Sequence, residues 1–199
     1  CELRCGVSVM SGGNVVLQNL TIAPRSGIGL NVVRAGVRLV DCTVSAPSIG
    51  VFGSEAIIEL ERTSILAPAD APPGAQAVRV VGRSMLLARG SRHECPANAI
   101  SGVRAALLDR CVVISTNKNA IEGGGGEDLW AVGCLLRGGN AALSRVDRGL
   151  LDGVALIDGN DRGSPIAPPM WVCAEHLRYD GDFTDFDSGV WLGRCAIGH

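Results

Sequence analysis

Short apolar segments recur along this chain at an interval of about 22 residues. Residues 15–22 superpose without a gap on residues 37–44 and on residues 58–65. Later copies follow, and the equivalent anchor residues are Leu20, Cys42, Thr63, Gly90, Cys111, Cys134 and Val154. A second apolar column keeps the same interval, at Ile28, Ile49, Val78, Ile100, Ile121 and Leu143. Two independent columns with one period indicate a stack of equivalent structural units.

Each copy alternates apolar and polar residues, takes a two-residue polar step, and then resumes with an apolar residue. This pattern is typical of two short strands joined by a tight bend. Because the columns stay in step, each strand is expected to lie beside its counterpart one turn further on, in parallel and in register. The sequence therefore predicts an all-β parallel solenoid of about seven coils.

The repeat resembles the right-handed parallel β-helix superfamily, the pectate-lyase-like solenoids that include polysaccharide lyases, hydrolases and phage tailspikes. The resemblance covers about residues 14–157. Since an uncapped solenoid exposes unpaired strands, we expect residues 1–13 to form an N-terminal cap. Residues 158–199 are expected to form a C-terminal cap or a docking arm. The superfamily contains both enzymes and passive structural proteins, so the resemblance implies an architecture and no particular activity.

Composition excludes several classes of protein. Hydrophobic residues make up 47% of the 199 residues, which excludes a disordered chain. The net charge of -2 gives no general attraction to nucleic acid. No apolar run approaches the ~18 to 20 residues that a membrane-spanning helix needs. The chain begins at Cys1, which leaves open a processed N-terminus or the start of a fragment.

Eight cysteines raise the questions of disulfides and of a metal site. Cys42, Cys111 and Cys134 share the anchor column, which points inward, and free cysteine packs there as a small hydrophobe. We interpret these three as core residues and leave the disulfide state of the chain open. Cysteine and histidine show no compact ligand spacing, so we expect no metal ion and no cofactor.

Charged residues occupy the outward step between the two strands. The alignment places Arg62, Arg89 and Arg110 in one outward column, with Glu61 and Asp109 in the neighbouring column. A row of arginines would bind an acidic polysaccharide through forked contacts with its carboxylates. The alternative, which we favour, is a solvated ladder of salt bridges.

Candidate catalytic groups fall in two places. Glu59 and Glu61 alternate outward on one predicted strand, at a separation that suits a glycosidase carboxylate pair. The segment Arg92, His93, Glu94 interrupts the repeat, because Arg92 falls at an inward apolar position. Departures from a repeat are expected at functional or strained places, so His93 is the best candidate for a general acid or base, oriented by Glu94. The alternative is a bulge in the sheet.

Aromatic residues concentrate near the C-terminus, at Trp171, Tyr179, Phe183, Phe186 and Trp191. Aromatic side chains bury large areas and are enriched at interfaces. We interpret this group as a packing surface for the end of the chain or as a docking surface for another chain. The acidic residues among them lack the pattern of an EF-hand loop.

Two classes of function remain. The first is a structural or adhesion element of a larger assembly, such as a virion spike, fibre or decoration protein, forming a homotrimer at an extracellular or virion surface. The second is a polysaccharide lyase or glycoside hydrolase acting in a groove along the solenoid. The shortness of the repeat and the lack of a clear acid/base cluster favour the first class, with enzymatic activity left open.

Overall fold

The computed structural model describes residues 1–124 and 128–158, and beyond them the backbone of strands at 166–167, 171–175, 178–180, 190–192 and 196–198. The described residues form strands and no helix. In chain order the strands are β1 (Glu2–Leu3), β2 (Val7–Met10), β3 (Asn14–Gln18), β4 (Thr21–Ile22), β5 (Ile28–Val33), β6 (Gly36–Val40), β7 (Thr43–Ser45), β8 (Ile49–Ser54), β9 (Ile57–Glu61), β10 (Ser64–Leu66), β11 (Gln76–Val81), β12 (Met85–Arg89), β13 (Arg92–Cys95), β14 (Ile100–Ser101), β15 (Ala105–Asp109), β16 (Val112–Ser115), β17 (Asn119–Glu122), β18 (Asp128–Val132), β19 (Leu135–Gly138), β20 (Ala141–Ser144), β21 (Arg148–Asp152), β22 (Ala155–Asp158), β23 (Ile166–Ala167), β24 (Trp171–Glu175), β25 (Arg178–Asp180), β26 (Val190–Leu192) and β27 (Ala196–Gly198).

These strands form three sheets. Sheet A has the order β1-β4-β7-β10-β13-β16-β19-β22-β25-β27, sheet B the order β2-β5-β8-β11-β14-β17-β20-β23, and sheet C the order β26-β24-β21-β18-β15-β12-β9-β6-β3. The chain passes repeatedly from sheet B to sheet C to sheet A, and neighbouring strands pair in parallel. The predicted all-β parallel solenoid of about seven coils is therefore confirmed.

The sheets continue past residue 158, where the repeat is no longer recognisable in the sequence. Strand β23 pairs with β20, β24 with β21, and β25 with β22, all in parallel. Strands β26 and β27 then pair with β24 and β25. At the other end, β1 and β2 pair with β4 and β5. The capping roles assigned to residues 1–13 and 158–199 stay predictions.

Strand register corrects the repeat alignment in one coil. Ile65 pairs with His93, so the anchor of this coil is Ser91 and not Gly90. Gly90 instead lies in the bend itself, with φ of 56°, where a residue without a Cβ is favoured. His93 therefore occupies the inward apolar column, and Arg92 does not interrupt it.

A column of left-handed residues forms the bend between sheets C and A. Its members have φ between 47° and 60° and are Asn19, Asp41, Arg62, Gly90, Arg110, Gly133 and Gly153. Glycine, asparagine and aspartate adopt this conformation readily, whereas an arginine there costs on the order of 1 kcal/mol. The bend turns the next residue, the anchor, into the core.

Anchor side chains join consecutive coils through hydrogen bonds to the backbone. The Thr63 hydroxyl donates to the carbonyl oxygens of Glu61 at 3.0 Å and Leu39 at 3.3 Å. The Cys134 thiol lies 3.5 Å from the carbonyl oxygen of Leu108. The anchor cysteines Cys42, Cys111 and Cys134 are buried in the core, as the sequence predicted, and the structure shows them as free thiols.

Aliphatic side chains fill the narrow interior. Leu39, Leu60 and Leu108 occupy one inward column of sheet C and are at most 2% exposed. Each buried leucine contributes about 1.5–3 kcal/mol through removal of apolar surface from water. Space is so limited that a Cβ on Gly50 would lie 2.6 Å from the carbonyl oxygen of Ala77. The interior thus accepts aliphatic columns and has little room for aromatic rings.

Three asparagines form an amide ladder between sheets A and B. The Asn119 backbone N–H donates to Asn98 Oδ1 at 3.1 Å, and Asn140 Nδ2 donates to Asn119 Oδ1 at 3.0 Å. Asn98 Nδ2 also donates to the Glu122 carboxylate. These bonds satisfy the buried amides of Asn98 and Asn119, whereas Asn140 is exposed, and the repeat pattern of the sequence had not singled them out.

Candidate docking surface on sheet C

His93 lies inside the solenoid. It is 0% exposed and stands in sheet A between Ile65 and Val113. Neither ring nitrogen has a hydrogen-bond partner, and burial lowers the pKa of the imidazole to about 4. The ring is therefore neutral at physiological pH and out of reach of a substrate in solvent.

Arg92 and Glu94 point the opposite way from His93, because side chains alternate along a strand. Arg92 Nη2 donates to Glu94 Oε2 at 2.6 Å on the outer surface. The structure thus joins Glu94 to Arg92 and does not bring it to His93. An imidazole oriented by this carboxylate, as expected from the sequence, is not formed here.

The three arginines predicted to form one column are separated by the register. Arg89 pairs in register with Glu61 on one side and with Asp109 on the other. Arg62 and Arg110 lie in the adjacent column of the bend, with a glycine between them. The alignment error at Gly90 had moved Arg89 into the wrong column.

Each of these arginines has a carboxylate partner. Asp109 accepts hydrogen bonds from Arg110 at 3.1 Å and from Arg89 at 2.9 Å, and Asp41 accepts one from Arg62 at 2.7 Å. The hydrogen bond from Arg110 holds the pKa of Asp109 below its usual value, and that from Arg62 does the same for Asp41. The arrangement is a ladder of exposed ion pairs.

Glu59 and Glu61 line a shallow depression of about 370 Å³ on the outer face of sheet C, together with Arg38 and Leu87. Arg38 Nη2 donates to Glu61 Oε2 at 2.7 Å, and Arg38 Nε lies 3.9 Å from Glu59 Oε2. Hydrogen bonds from Arg38 and then from Arg62 lower the pKa of Glu61. Glu61 is therefore ionised at neutral pH and has no proton to donate to a glycosidic oxygen.

An uncharged strip follows on the same outer face. The register places Leu87, Leu107, Trp130 and Leu150 side by side on β12, β15, β18 and β21. Leu87 is half-buried, whereas Leu107, Trp130 and Leu150 are 43%, 45% and 52% exposed. We call these four residues the apolar strip.

Further apolar side chains flank the apolar strip. Ile57, Met85 and Val132 are also exposed on the outer face of sheet C. Among the described residues, seven of the eight exposed large hydrophobic side chains lie on this face, the exception being Met10. The concentration on one sheet marks this face as different from the other two.

The predicted aromatic surface is placed only in part. Trp171, Tyr179 and Trp191 lie on β24, β25 and β26, so they belong to sheets C and A. Phe183 and Phe186 lie outside the described residues. The role of these five aromatics as an interface stays a prediction.

Metal and membrane chemistry can be assessed over the described part of the chain. No group of three or more His, Cys, Asp or Glu side chains is arranged there to hold a metal ion. The same residues contain no helix long and apolar enough to cross a membrane.

Comparison with known proteins found no matching family model, no matching curated protein and no matching solved structure. The parallel β-solenoid is shown by the strand pairing alone, and membership of a particular β-helix superfamily is not.

The sequence contained a signal for the apolar strip. Its members lie four residues before the anchors, an outward position where a solenoid is expected to be polar. Anchoring the fourth coil on Gly90 assigned Leu87 to the interior and hid the first member. With Ser91 as anchor, four consecutive coils carry Leu, Leu, Trp and Leu at this outward position.

Proposed function

We propose that this protein is a non-enzymatic structural or adhesion β-helix that works as part of a larger assembly, such as a virion spike, fibre or decoration protein. Its place is an extracellular or virion surface, and it acts there as a homo-oligomer. The observation that carries the proposal is the apolar strip with its flanking side chains on sheet C.

Exposed apolar surface of this extent favours a docking role. The outer face of the four strands that carry the strip, five residues each, measures roughly 300 Å² at a strand spacing of ~4.8 Å, and the apolar strip is its central column. Contiguous apolar side chains on the surface of a protein often mark a functional contact site. Because each strand is hydrogen-bonded on both sides, the strip is rigid, and a partner pays little ordering entropy on this side.

The titratable groups support a role without catalysis. His93 is neutral and sealed in the core. The carboxylates of Asp41, Glu61 and Asp109 have lowered pKa values, since each is hydrogen-bonded to arginine. General acid catalysis at neutral pH needs a protonated group in contact with solvent, and none of these four side chains supplies one.

One observation favours the second candidate, a polysaccharide lyase or glycoside hydrolase. The 370 Å³ depression has two glutamates and two arginines along its wall and leucines in its lining. In this depression the arginines could bind the carboxylates of an acidic sugar, and the leucines provide an apolar floor. Because Arg38 and Arg89 already hold carboxylates of the protein, we rank this candidate below the first.

The test is a screen of acidic and neutral polysaccharides for new reducing ends and for unsaturated products. We expect no turnover. The matched variants Glu61→Gln and His93→Ala separate protein-specific activity from a contaminant. Turnover that disappears in Glu61→Gln would replace the structural proposal with the enzymatic one.

A further inference from the structure

We propose that the apolar strip binds the apolar strip of a second copy of this chain, face to face, with the two solenoid axes antiparallel. This inference rests on the proposed structural function and names one partner for it. The contact is isologous, meaning that each copy contributes the same surface around a two-fold axis. The axis runs parallel to the strands and passes between β15 and β18.

The apolar strip is matched to itself by this two-fold axis. Rotation about the axis keeps each outward column over the same column of the other copy and reverses the order of the coils. Leu107 then faces Trp130 of the second copy, and Leu87 faces Leu150. All four members of the strip meet apolar partners, and the tryptophan lies near the centre, where such side chains contribute most to binding.

Charges beside the apolar strip obey the same symmetry. Arg89, which is paired with Asp109 in its own chain, shares an outward column with Asp152, and the rotation brings it opposite Asp152 of the second copy, twice per dimer. On the other side of the strip, Met85 meets the stem of Arg148. Over these four strands no charge faces a like charge, which is the complementarity that selects a partner.

Parallel solenoid axes give a poorer match. A two-fold axis along the solenoid would place every coil over itself, so that Arg38 faces Arg38 and Glu59 faces Glu59. Like charges opposed in this way are unfavourable. A three-fold axis along the solenoid would place no strip directly over another. The antiparallel pair is the arrangement that covers the whole strip.

The size of the contact predicts its strength. Roughly 300 Å² of flat face on each copy, estimated from strand spacing, is below the ~800 Å² per partner of a standard stable interface. We therefore expect a reversible dimer that forms in the micromolar range or above, strengthened where a larger assembly holds copies close together.

Sedimentation of the full chain over increasing concentration tests the pairing. The mass is expected to rise from 20.6 kDa to twice that value. Trp130→Asp should weaken association about tenfold or more, because it places a carboxylate opposite Leu107. Met10→Asp is the matched control, since Met10 is exposed on sheet B; its association should be unchanged. A monomer at all concentrations, a trimer, or equal loss in both variants would overturn the pairing.

Cysteine cross-linking tests the orientation. Leu107→Cys mixed with Trp130→Cys should form a disulfide-linked dimer under mild oxidation, whereas Leu107→Cys alone should not. Parallel axes would give the reverse, with Leu107→Cys linked to itself. The unsubstituted protein in the same experiment accounts for its exposed Cys1 and Cys5. These results are independent of the polysaccharide screen, so the pairing and the proposed function fail separately.

Discussion

The outer face of sheet C divides into two stretches with the same backbone and different chemistry. At β6 and β9 the central outward column carries Arg38 and Glu59 in a network of ion pairs. On the next four strands of the sheet, the same column is the apolar strip. The inward columns beneath both stretches are aliphatic. The interior thus keeps one composition along the whole stack, while the outer face is free to vary and to carry function.

The charged stretch and the apolar strip also differ in whether their side chains have interaction partners within the chain. Arg38, Glu59 and Glu61 satisfy each other within the chain. In the apolar strip, Leu107, Trp130 and Leu150 are exposed among the described residues, and water against leucine and tryptophan carries a free-energy cost. Only the second stretch therefore gains from a partner. The predictions below test whether the apolar strip is needed for folding or for contact.

The largest expected effect is the difference in unfolding free energy between substitutions on the inward and outward faces of β15. Leu108→Ala should reduce the free energy of unfolding by about 2–5 kcal/mol, because it leaves a cavity in a tightly packed core. Leu107→Ala, one residue earlier and 43% exposed, should change it by about 0.5 kcal/mol or less. Denaturant unfolding at low protein concentration, where the chain is monomeric, measures both. Similar losses in the two variants would mean that the apolar strip packs within its own chain.

The next effect concerns the one imidazole that the structure shows in the core. His93→Leu should stabilise the protein by about 1–3 kcal/mol at pH 7, because two buried ring nitrogens without partners are removed. Leucine already occupies this inward column at Leu136 and Leu156, so the replacement fits. A marked loss of stability in this variant would show that His93 has a partner or a role that the buried, unpaired ring does not explain.

The pH dependence of stability should change with the same substitution. The pKa of His93 is about 4 in the folded protein and about 6.5 in an unfolded chain. Between these values the unfolded state binds more protons, so the buried His93 lowers the stability of the wild-type protein by about 2 kcal/mol as pH falls from 7 to 5. His93→Leu should lack this loss down to about pH 4.5, below which carboxylates begin to titrate. Unfolding at pH 7 and pH 5 gives the comparison.

The architecture was predictable from the sequence because each coil of a solenoid repeats the core positions of the coil before it. Columns such as Leu39, Leu60 and Leu108 keep the period, and two columns with the same period predicted parallel stacking. The register of the fourth coil was not predictable in the same way. Residues 67–75 form a longer loop there, and either Gly90 or Ser91 suits a bend, so the alignment had a one-residue choice that only strand pairing resolves.

The site was less predictable than the fold, and one residue explains why. A one-residue slip moves every side chain of a strand to the opposite face. The slip at Gly90 assigned Arg92 to the core, where it looked like a defect, and assigned His93 to the outer surface, where it looked like a catalytic residue. It also assigned Leu87 to the interior, so that the outer column lost its first member. After correction, the same sequence shows a continuous apolar column from Leu87 to Leu150. The strand register continues this column with Cys173 and Trp191, but the sequence did not show them because the regular period is lost after residue 158.

The smallest expected effect lies in the charged stretch. Glu61→Gln removes the ion pairs with Arg38 and Arg62 and should lower stability slightly at neutral pH in low salt, since exposed pairs of this kind contribute little. The pKa of Glu61 is lowered in the folded protein, so its contribution is present above the unfolded pKa and is lost as pH falls through the folded value. The difference from wild type should therefore vanish in high salt and in acid. Association through the apolar strip depends on apolar burial at its centre, and it should persist in this variant. If Glu61→Gln abolished association while Trp130→Asp did not, the functional contact would lie in the charged stretch and the contrast between the two stretches would be reversed.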